Sequence, residues 1–588
     1  MASEHTTAHE ALRHSEEATD EHTASTNSQD ETLNDAPVNK LDEVAAAEKQ
    51  QEDGTGIAKK PLSGMKFLIL ATALTLTGII ILMDMTVLVT AIPEITTVFN
   101  SLDDIGWYAN AYTITMAVLL PLAGKLTSHF NSKLVFIGFL FAFSVGNAIC
   151  GAAQSSTMLI IGRAVAGIGG SGLLNSALVI IAAASPIEKR AVMYGILMGF
   201  SQLGVAMGPL VGGALTEHAS WRWCFYMNLP ICGAVAAAMI FIHVPDESVP
   251  LTGNLWHSLL FKMDLIGFAI LAPSSVMFLL ALAYGGVDHP WNSATVTGLF
   301  CGGGIGFILF FLWEERVGID GMMPSILLRR RIVWTSCISQ MIYFGGILVG
   351  SFFLSIYFQS VKGESPLGAG VNLLPMTLFQ ITAVLITGAL TQKFGYYLPA
   401  PVLGGVFFAI GYGLTSSLDA GSSTGRWVGY QLIVGVGRGL PLQSGLLAVQ
   451  ANVGPSLMQV ATAMVLFSQQ FGGALVIAIA RAIFSEKLRD ELKQRIPGVD
   501  AQAVVDAGAR GDWSLLVSAD DIVHVIESYS EALADVFYLG AACGVFVFVV
   551  SFGMGWVDLR KINIKEPEAE TGATAESAAK AGNEKTAE

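Results

Sequence analysis

Residues 162–176 read GRAVAGIGGSGLLNS, and Gly167, Gly169 and Gly172 within them keep the spacing G-x-G-x-x-G. That spacing marks a loop for a dinucleotide pyrophosphate only where a strand precedes it and an acidic residue follows about 20 residues on. Neither is present here, because the stretch sits inside an apolar window at 157–183. Gly162, Ala166 and Gly170 instead recur every four residues, giving one smooth helix face that a neighbouring backbone can approach closely in lipid. The stretch reads as a packed membrane helix.

Composition agrees. Of 588 residues, 53% are hydrophobic and 13% charged, where a soluble domain carries about 25% charged residues. The mean hydropathy is +0.57. Much of the acid behind the net charge of −15 lies in two polar tails, residues 1–60 and 557–588. Such tails cannot bury enough apolar area to offset ordering entropy and are expected to be disordered. HEALRH (His9 to His14) has one residue too many for the zinc motif H-E-x-x-H, so its histidines miss a common helix face. The first 60 residues hold no apolar stretch, so no cleavable leader is expected. The six cysteines are scattered, with neither a disulfide framework nor a metal-ligand cluster.

A bilayer core needs about 20 largely apolar residues per helix. Such windows lie near 66–92, 107–127, 134–153, 157–183, 191–215, 228–244, 263–284, 295–313, 333–358, 367–390, 399–418, 427–450, 459–481 and 536–556. Fourteen transmembrane helices are therefore expected in an all-α integral membrane protein. With the N-terminus inside, the inner loops carry Lys125, Lys133, Lys189, Arg190, Lys262, Arg316, Arg329, Arg330, Arg331 and Lys393, and the short outer loops only Arg222, Lys362 and Arg426. Lys59, Lys60, Arg560, Lys561 and Lys565 flank the ends, which places both termini in the cytoplasm. An outer loop at 482–533 breaks the pattern with Lys487, Arg489, Lys493, Arg495 and Arg510. It is long enough for the charge rule to weaken, and an amphipathic surface helix is the alternative there.

The chain echoes itself. GIGGSGLLNS (167–176) resembles GVGRGLPLQS (435–444) at an offset of 268, and GKLTSHF (124–130) resembles GALTQKF (388–394) at 264. Ser201–Gln202 matches Ser468–Gln469 at 267. The echoes imply two similar six-helix bundles, 66–244 and 333–556, with two inserted helices at 263–313. Two bundles across a central cavity, with a ligand near the midplane, is a transporter plan.

At these residues the chain resembles the fourteen-helix drug:proton antiporter branch of the major facilitator superfamily, over roughly residues 66–556. GKLTSHFNSK (124–133) is similar to the family loop G-x-L-a-D-R-x-G-R-K at Gly124, Leu126 and Lys133. Ser128 stands where the family carries an acid, and His129 and Ser132 where it carries arginines. IIGRAVAGIGG (160–170) resembles the family's R-x-x-x-G motif through Arg163. GVAMGPLVGG (204–213) matches the antiporter motif G-x-x-x-G-P-x-x-G-G at Gly204, Gly208, Pro209, Gly212 and Gly213. MDMTVLVTAIP (83–93) is similar to a D-x-T motif of that branch, with Val89 where Asn is usual. WRWCFYMNLP (221–230) and residues 429–450 look most like fungal toxin and secondary-metabolite efflux carriers. The resemblance implies export driven by protons.

Charges inside a span are expensive, at least about 2.5 kcal/mol each, and default to function. Asp84, Arg163 and Arg438 stand well inside windows. At 1.5 Å per residue Asp84 lies about 12 Å, and Arg163 about 9 Å, below the outer face. The depths permit contact if their helices are neighbours. Protonation of a carboxylate releases such a pair and deprotonation restores it, so Asp84 is expected to carry the proton and Arg163 to partner it. Against that stands a static pair, with Arg163 reaching the headgroups. Arg438 either attracts an anionic or carbonyl-bearing substrate or braces its helix. Gln202, Gln340, Tyr343, Asn372, Gln380, Gln443 and Gln469 either line a cavity or join helices by hydrogen bonds. Gly204, Gly208 and Gly212 form one ridge, Pro209 permits a bend, and that ridge either packs closely on a neighbouring helix or seals a seam between the two bundles.

No Walker A sequence appears, so the energy source is expected to be an ion gradient. The expectation is proton-coupled efflux of small amphipathic organic compounds across the plasma membrane by a monomer in lipid. It needs no cofactor or metal and no nucleic acid partner. The rivals are a proton symporter importing a nutrient or siderophore, a non-transporting receptor or scaffold, and a membrane-embedded enzyme. The last lacks metal spacing or a nucleophile–base pair.

Overall fold

The computed structural model describes residues 64–560, apart from 100, 102–103, 245–261, 287–288, 508–512, 514–515 and 519. The two tails, HEALRH, Lys59, Lys60, Arg510, Lys561 and Lys565 lie outside or almost wholly outside the described residues. The described part is helical, with no strand. The helices are α1 Met65–Phe99, α2 Ile105–His129, α3 Ser132–Ala152, α4 Ser156–Ala184 and α5 Ile187–His218. Then come α6 Trp223–Phe241, α7 Leu265–Tyr284, α8 Ala294–Val317 and α9 Arg331–Ile356. α10 Pro366–Phe394 and α12 Thr424–Asn452 are each broken within their length, and α11 is Pro399–Thr415. α13 Pro455–Arg495 and α14 Ile522–Ser551 close the chain.

Twelve of these are long and apolar enough to cross a membrane; α2 is not among them, and α11 is a shorter apolar helix of 17 residues. Length and hydrophobicity on every face make these membrane helices rather than amphipathic ones. Phe141, Phe241, Ile308 and Val549 point outward uncovered, which lipid tolerates and water does not. Side-chain caps start several helices: Asn131 accepts from Leu134 N at 3.2 Å, Ser155 from Met158 N at 3.2 Å, and Ser365 from Gly368 N at 3.0 Å. They occupy orphaned donors of the first turn.

Contacts follow two parallel patterns. α1 packs on α5, α4 on α3 and α2, and α6 on α1 and α3; likewise α9 packs on α13, α12 on α11 and α10, and α14 on α9 and α11. Between the sets, α5 meets α10 and α13 meets α2. α7 pairs with α8 and lies against α2 and α13. The close approaches recur at the sequence offsets. A Cβ on Gly167 would stand 2.5 Å from the Tyr112 carbonyl oxygen, and one on Gly435 2.5 Å from that of Met376. Gly146 faces the backbone of Ala166, and Gly411 that of Val434.

Three expectations need correction. Gly162 and Ala166 face Cys150 and Gly146 of α3, but Gly170 meets Tyr112 of α2, so the α4 glycines are gripped from two sides. The α5 ridge does not seal a seam between the two sets. A Cβ on Gly204 would stand 2.9 Å from Met83 N, one on Gly208 2.9 Å from Val87 N, and one on Gly212 2.5 Å from Val87 O, all on α1. The face toward α10 carries Gly195, Gly199 and Pro209, about 140° round the helix from the ridge at 3.6 residues per turn. Lastly, of the two readings of 482–533, irregular loop and amphipathic helix, the segment is largely helix. α13 runs 41 residues to Arg495, a short helix Ala501–Ala507 follows, and α14 begins at Ile522. Leu488, Leu492, Val504 and Val525 are buried there, so an apolar seam outweighs the charges that suggested a loop. Arg495 pairs with Glu491 at 3.1 Å and Glu527 at 2.9 Å.

The α1–α5 seam predicts a contrast between adjacent glycines. Gly212→Ala drives a methyl into Val87 and Thr90, whereas Gly213 has nothing within 4 Å. Gly212→Ala is expected to destabilise by about 1–3 kcal/mol and Gly213→Ala to be neutral or stabilising. Thermal unfolding of the two detergent-purified variants reads the difference.

Candidate functional site

Asp84 lies midway along α1, and Thr86 two residues on points to the opposite side. Thr86 hydrogen-bonds within its own helix and to the Gly204 carbonyl of α5 at 3.5 Å. Asp84 faces α4 and α6. Its Oδ2 accepts from Arg163 Nη1 at 2.6 Å, and its Oδ1 accepts from Asn228 Nδ2 at 3.2 Å. Asn228 also donates to Asn147 Oδ1 at 2.8 Å, and Asn147 to the Phe143 carbonyl at 3.0 Å. The four side chains are 0–1% exposed, so Arg163 does not reach the headgroups. α1 continues past the expected end at 92 to Phe99. Asp84 is thus deeper along its own helix than expected, and the last turns of α1 rise beyond the start of α4.

Arg163 is held on every side. Its Nε donates to the Tyr108 carbonyl at 2.9 Å, and its guanidinium lies 4.4 Å from the Tyr112 ring centroid and 5.9 Å from that of Phe225. Gly170 leaves the room that Tyr112 fills. From Tyr108 a chain of hydroxyls leads to the helix ends: Tyr108 Oη donates to Ser156 Oγ at 2.9 Å and bonds Ser101 Oγ at 2.6 Å, and Ser156 donates to Asp104. Asn147 and Asn228 escaped the sequence reading, although lone amides in apolar windows were the signal that raised the glutamines. The two tyrosines left no signal, since aromatic residues are ordinary in a span.

The second set of helices repeats this site without its charge. Gln431 stands 268 residues after Arg163, and its Nε2 donates to the Asn372 carbonyl at 2.9 Å. Asn372 stands 264 residues after Tyr108, so the hydrogen bond is the same with a neutral donor. Among the described residues only the first set carries a buried ion pair.

The other candidates divide. Gln340 donates to the Pro441 carbonyl at 3.1 Å and accepts from Gln469 at 2.8 Å, tying α9, α12 and α13 together. Tyr343 donates to the Arg438 carbonyl. Gln443 is buried with both amide atoms unpartnered, as is Gln380 Nε2. Gln202 and Asn372 are half-buried. Lys133 Nζ donates to the carbonyls of Ile240 and Ile242 at 3.0 and 2.9 Å, capping α6. Gly124 lets α2 meet Ala463 and Gln459 of α13, and Leu126 is half-buried. No cluster of metal-ligating side chains occurs among the described residues.

Removing one partner of a buried pair strands the other charge. Asp84→Asn or Arg163→Gln alone is expected to destabilise by about 3–5 kcal/mol, and the double variant by less than the two together. Thermal unfolding of the purified single and double variants measures the coupling.

Comparison with known proteins gives the family. The sequence model described as Major Facilitator Superfamily matches residues 74–477. The MFS-type transporter pigP of Monascus ruber is 43% identical over 87% of this chain and 89% of its own length. The efflux pump mlcE of Penicillium citrinum is 42% identical over 88% and 95%. The solved inward-facing structure of a bacterial homologue of the human lysosomal transporter Spinster shares the fold, with a TM-score of 0.52 at 15% identity over 84% of this chain and 98% of that one. The chain is a multi-pass membrane transporter, not an enzyme, and it belongs to the major facilitator superfamily.

Proposed function

We propose that the chain is a proton-coupled exporter of small amphipathic organic compounds, working by alternating access of α1–α6 against α9–α14. All fourteen helices α1–α14 cross the plasma membrane, α7 and α8 are an inserted pair, and both termini face the cytoplasm. The protein acts as a monomer in lipid. The observation that carries the reading is the Asp84–Arg163 pair, 2.6 Å apart and buried on α1 and α4. A proton on Asp84 cancels its charge, leaves Arg163 uncompensated, and so favours a different packing of α1, α4 and α6. Names such as efflux pump among the relatives support the direction of transport.

Alternating access needs contacts that break. Tyr194 Oη donates to Gln450 Oε1 at 2.6 Å, and Arg190 Nη1 approaches Met458 Sδ at 3.7 Å. Both join the two sets at the end carrying the basic loops. They hold that end shut, with the cytoplasmic side closed under the proposed topology. Gln431 in place of a second arginine makes the machine asymmetric, with proton binding assigned to the first set alone.

In vesicles with an imposed pH gradient, Asp84→Asn is expected to lose gradient-driven accumulation of a labelled amphipathic dye by at least about tenfold, the usual range for losing a proton-transfer group. Exchange of dye across the membrane without a gradient should persist. Wild-type accumulation that still follows pH in this variant would remove Asp84 from the mechanism. Accumulation in the opposite direction would favour the symporter.

A further inference from the structure

α12 is discontinuous near its middle. Thr424–Gly439 and Ser444–Asn452 are helical, with a turn between them. Non-helical backbone at membrane depth survives only where protein or a polar cavity satisfies it. Here Tyr343 Oη donates to the Arg438 carbonyl and Gln340 Nε2 to the Pro441 carbonyl, so the broken backbone is served by side chains of α9. Half-helices of this kind build ligand sites in transporters.

The side chains at the break are less well served. Arg438 is 3% exposed, yet its guanidinium donates only to neutral atoms, Ser351 Oγ at 2.9 Å and Met376 Sδ at 2.9 Å. Its Nε has no partner, and no acidic side chain among the described residues pairs with it. Arg163, by contrast, has its carboxylate. Gln380 lies one helical turn from Met376 on the same face of α10, with its backbone carbonyl against Gly439 and its side-chain Nε2 unpartnered. Gln443, at the far side of the break, leaves both amide atoms unpartnered, and its Oε1 lies 3.5 Å from where a Cβ on Gly195 of α5 would stand. Unused donors thus run from a buried cation toward the seam between the two sets. A buried charge without a counterion is costly, and a thioether is a poor substitute for an oxyanion.

We propose that the break in α12 is a binding subsite for the carboxylate of an amphipathic organic acid. Arg438 takes the carboxylate with its planar fork in place of the Met376 sulfur, and Gln380 and Gln443 supply further hydrogen bonds. The proposal names the substrate class of the transport reading and rests on that reading only for the direction of movement.

Equilibrium binding to the purified full-length protein in detergent tests it, with dansyl-undecanoic acid and its methyl ester as probes at about pH 8, where the acid is ionised. The protein is expected to prefer the acid by about tenfold or more, the range of one charge-assisted contact. Arg438→Gln should bring the ratio to about one, with the thermal unfolding and circular dichroism of the purified variant showing that it is folded. Arg438→Lys should keep part of the preference. Equal affinity of the unaltered protein for acid and ester, no binding of the acid, or an undiminished ratio in Arg438→Gln would each overturn the proposal. Binding in detergent needs neither a gradient nor flux. Loss of proton coupling would leave this result standing, and pH-driven export without an acid preference would fell only the subsite.

Discussion

The whole first half of the molecule is organised by one ion pair held away from water. A carboxylate and a guanidinium in hydrocarbon attract strongly, but each has lost its hydration, and the balance is favourable only if every remaining lone pair and N–H is satisfied. Asn228 serves the second oxygen of Asp84, the Tyr108 carbonyl serves Arg163 Nε, and Tyr112 offers its ring face. Those partners come from α6 and α2, so α2, α4 and α6 must be in register around α1 before the charges are tolerable. The glycines of α4 and α5 exist in that context. They bring α2, α3 and α1 to backbone distance, where side chains as short as Asp and Asn can meet.

Much of this was legible. Hydropathy located the helices, twelve of them long and apolar enough to cross a membrane, and lone charges in apolar windows singled out Asp84, Arg163 and Arg438. The echoes at 264 and 268 residues located equivalent positions well enough that Gln431 and Asn372 could be paired with Arg163 and Tyr108 once the hydrogen bonds were seen. A repeat is readable because equivalent close approaches need equivalent small residues, as Gly167 and Gly435 show.

The rest failed for physical reasons. The spacing of Gly204, Gly208 and Gly212 tells that something approaches closely, but not which helix does so. An error of about 140° in facing turns a seam within one bundle into a seam between two. Asn147 and Asn228 look like any polar residue in a span until their partners are known. The charges at 487–495 suggested a loop because hydropathy weighs Lys and Arg without seeing that Leu488 and Leu492 share the opposite face. α14 began early for the same reason: Val525, Tyr529 and Leu533 form its buried stripe between polar residues.

That uninterrupted α13 has a mechanical consequence. Forty-one residues span about 61 Å, roughly twice the hydrocarbon thickness. The same rod touches α2 at one end and carries the Arg495–Glu527 clasp at the other. A stiff mast stepped at the contact between halves magnifies any tilt there into a larger sweep of its far tip and of the clasp that tip carries.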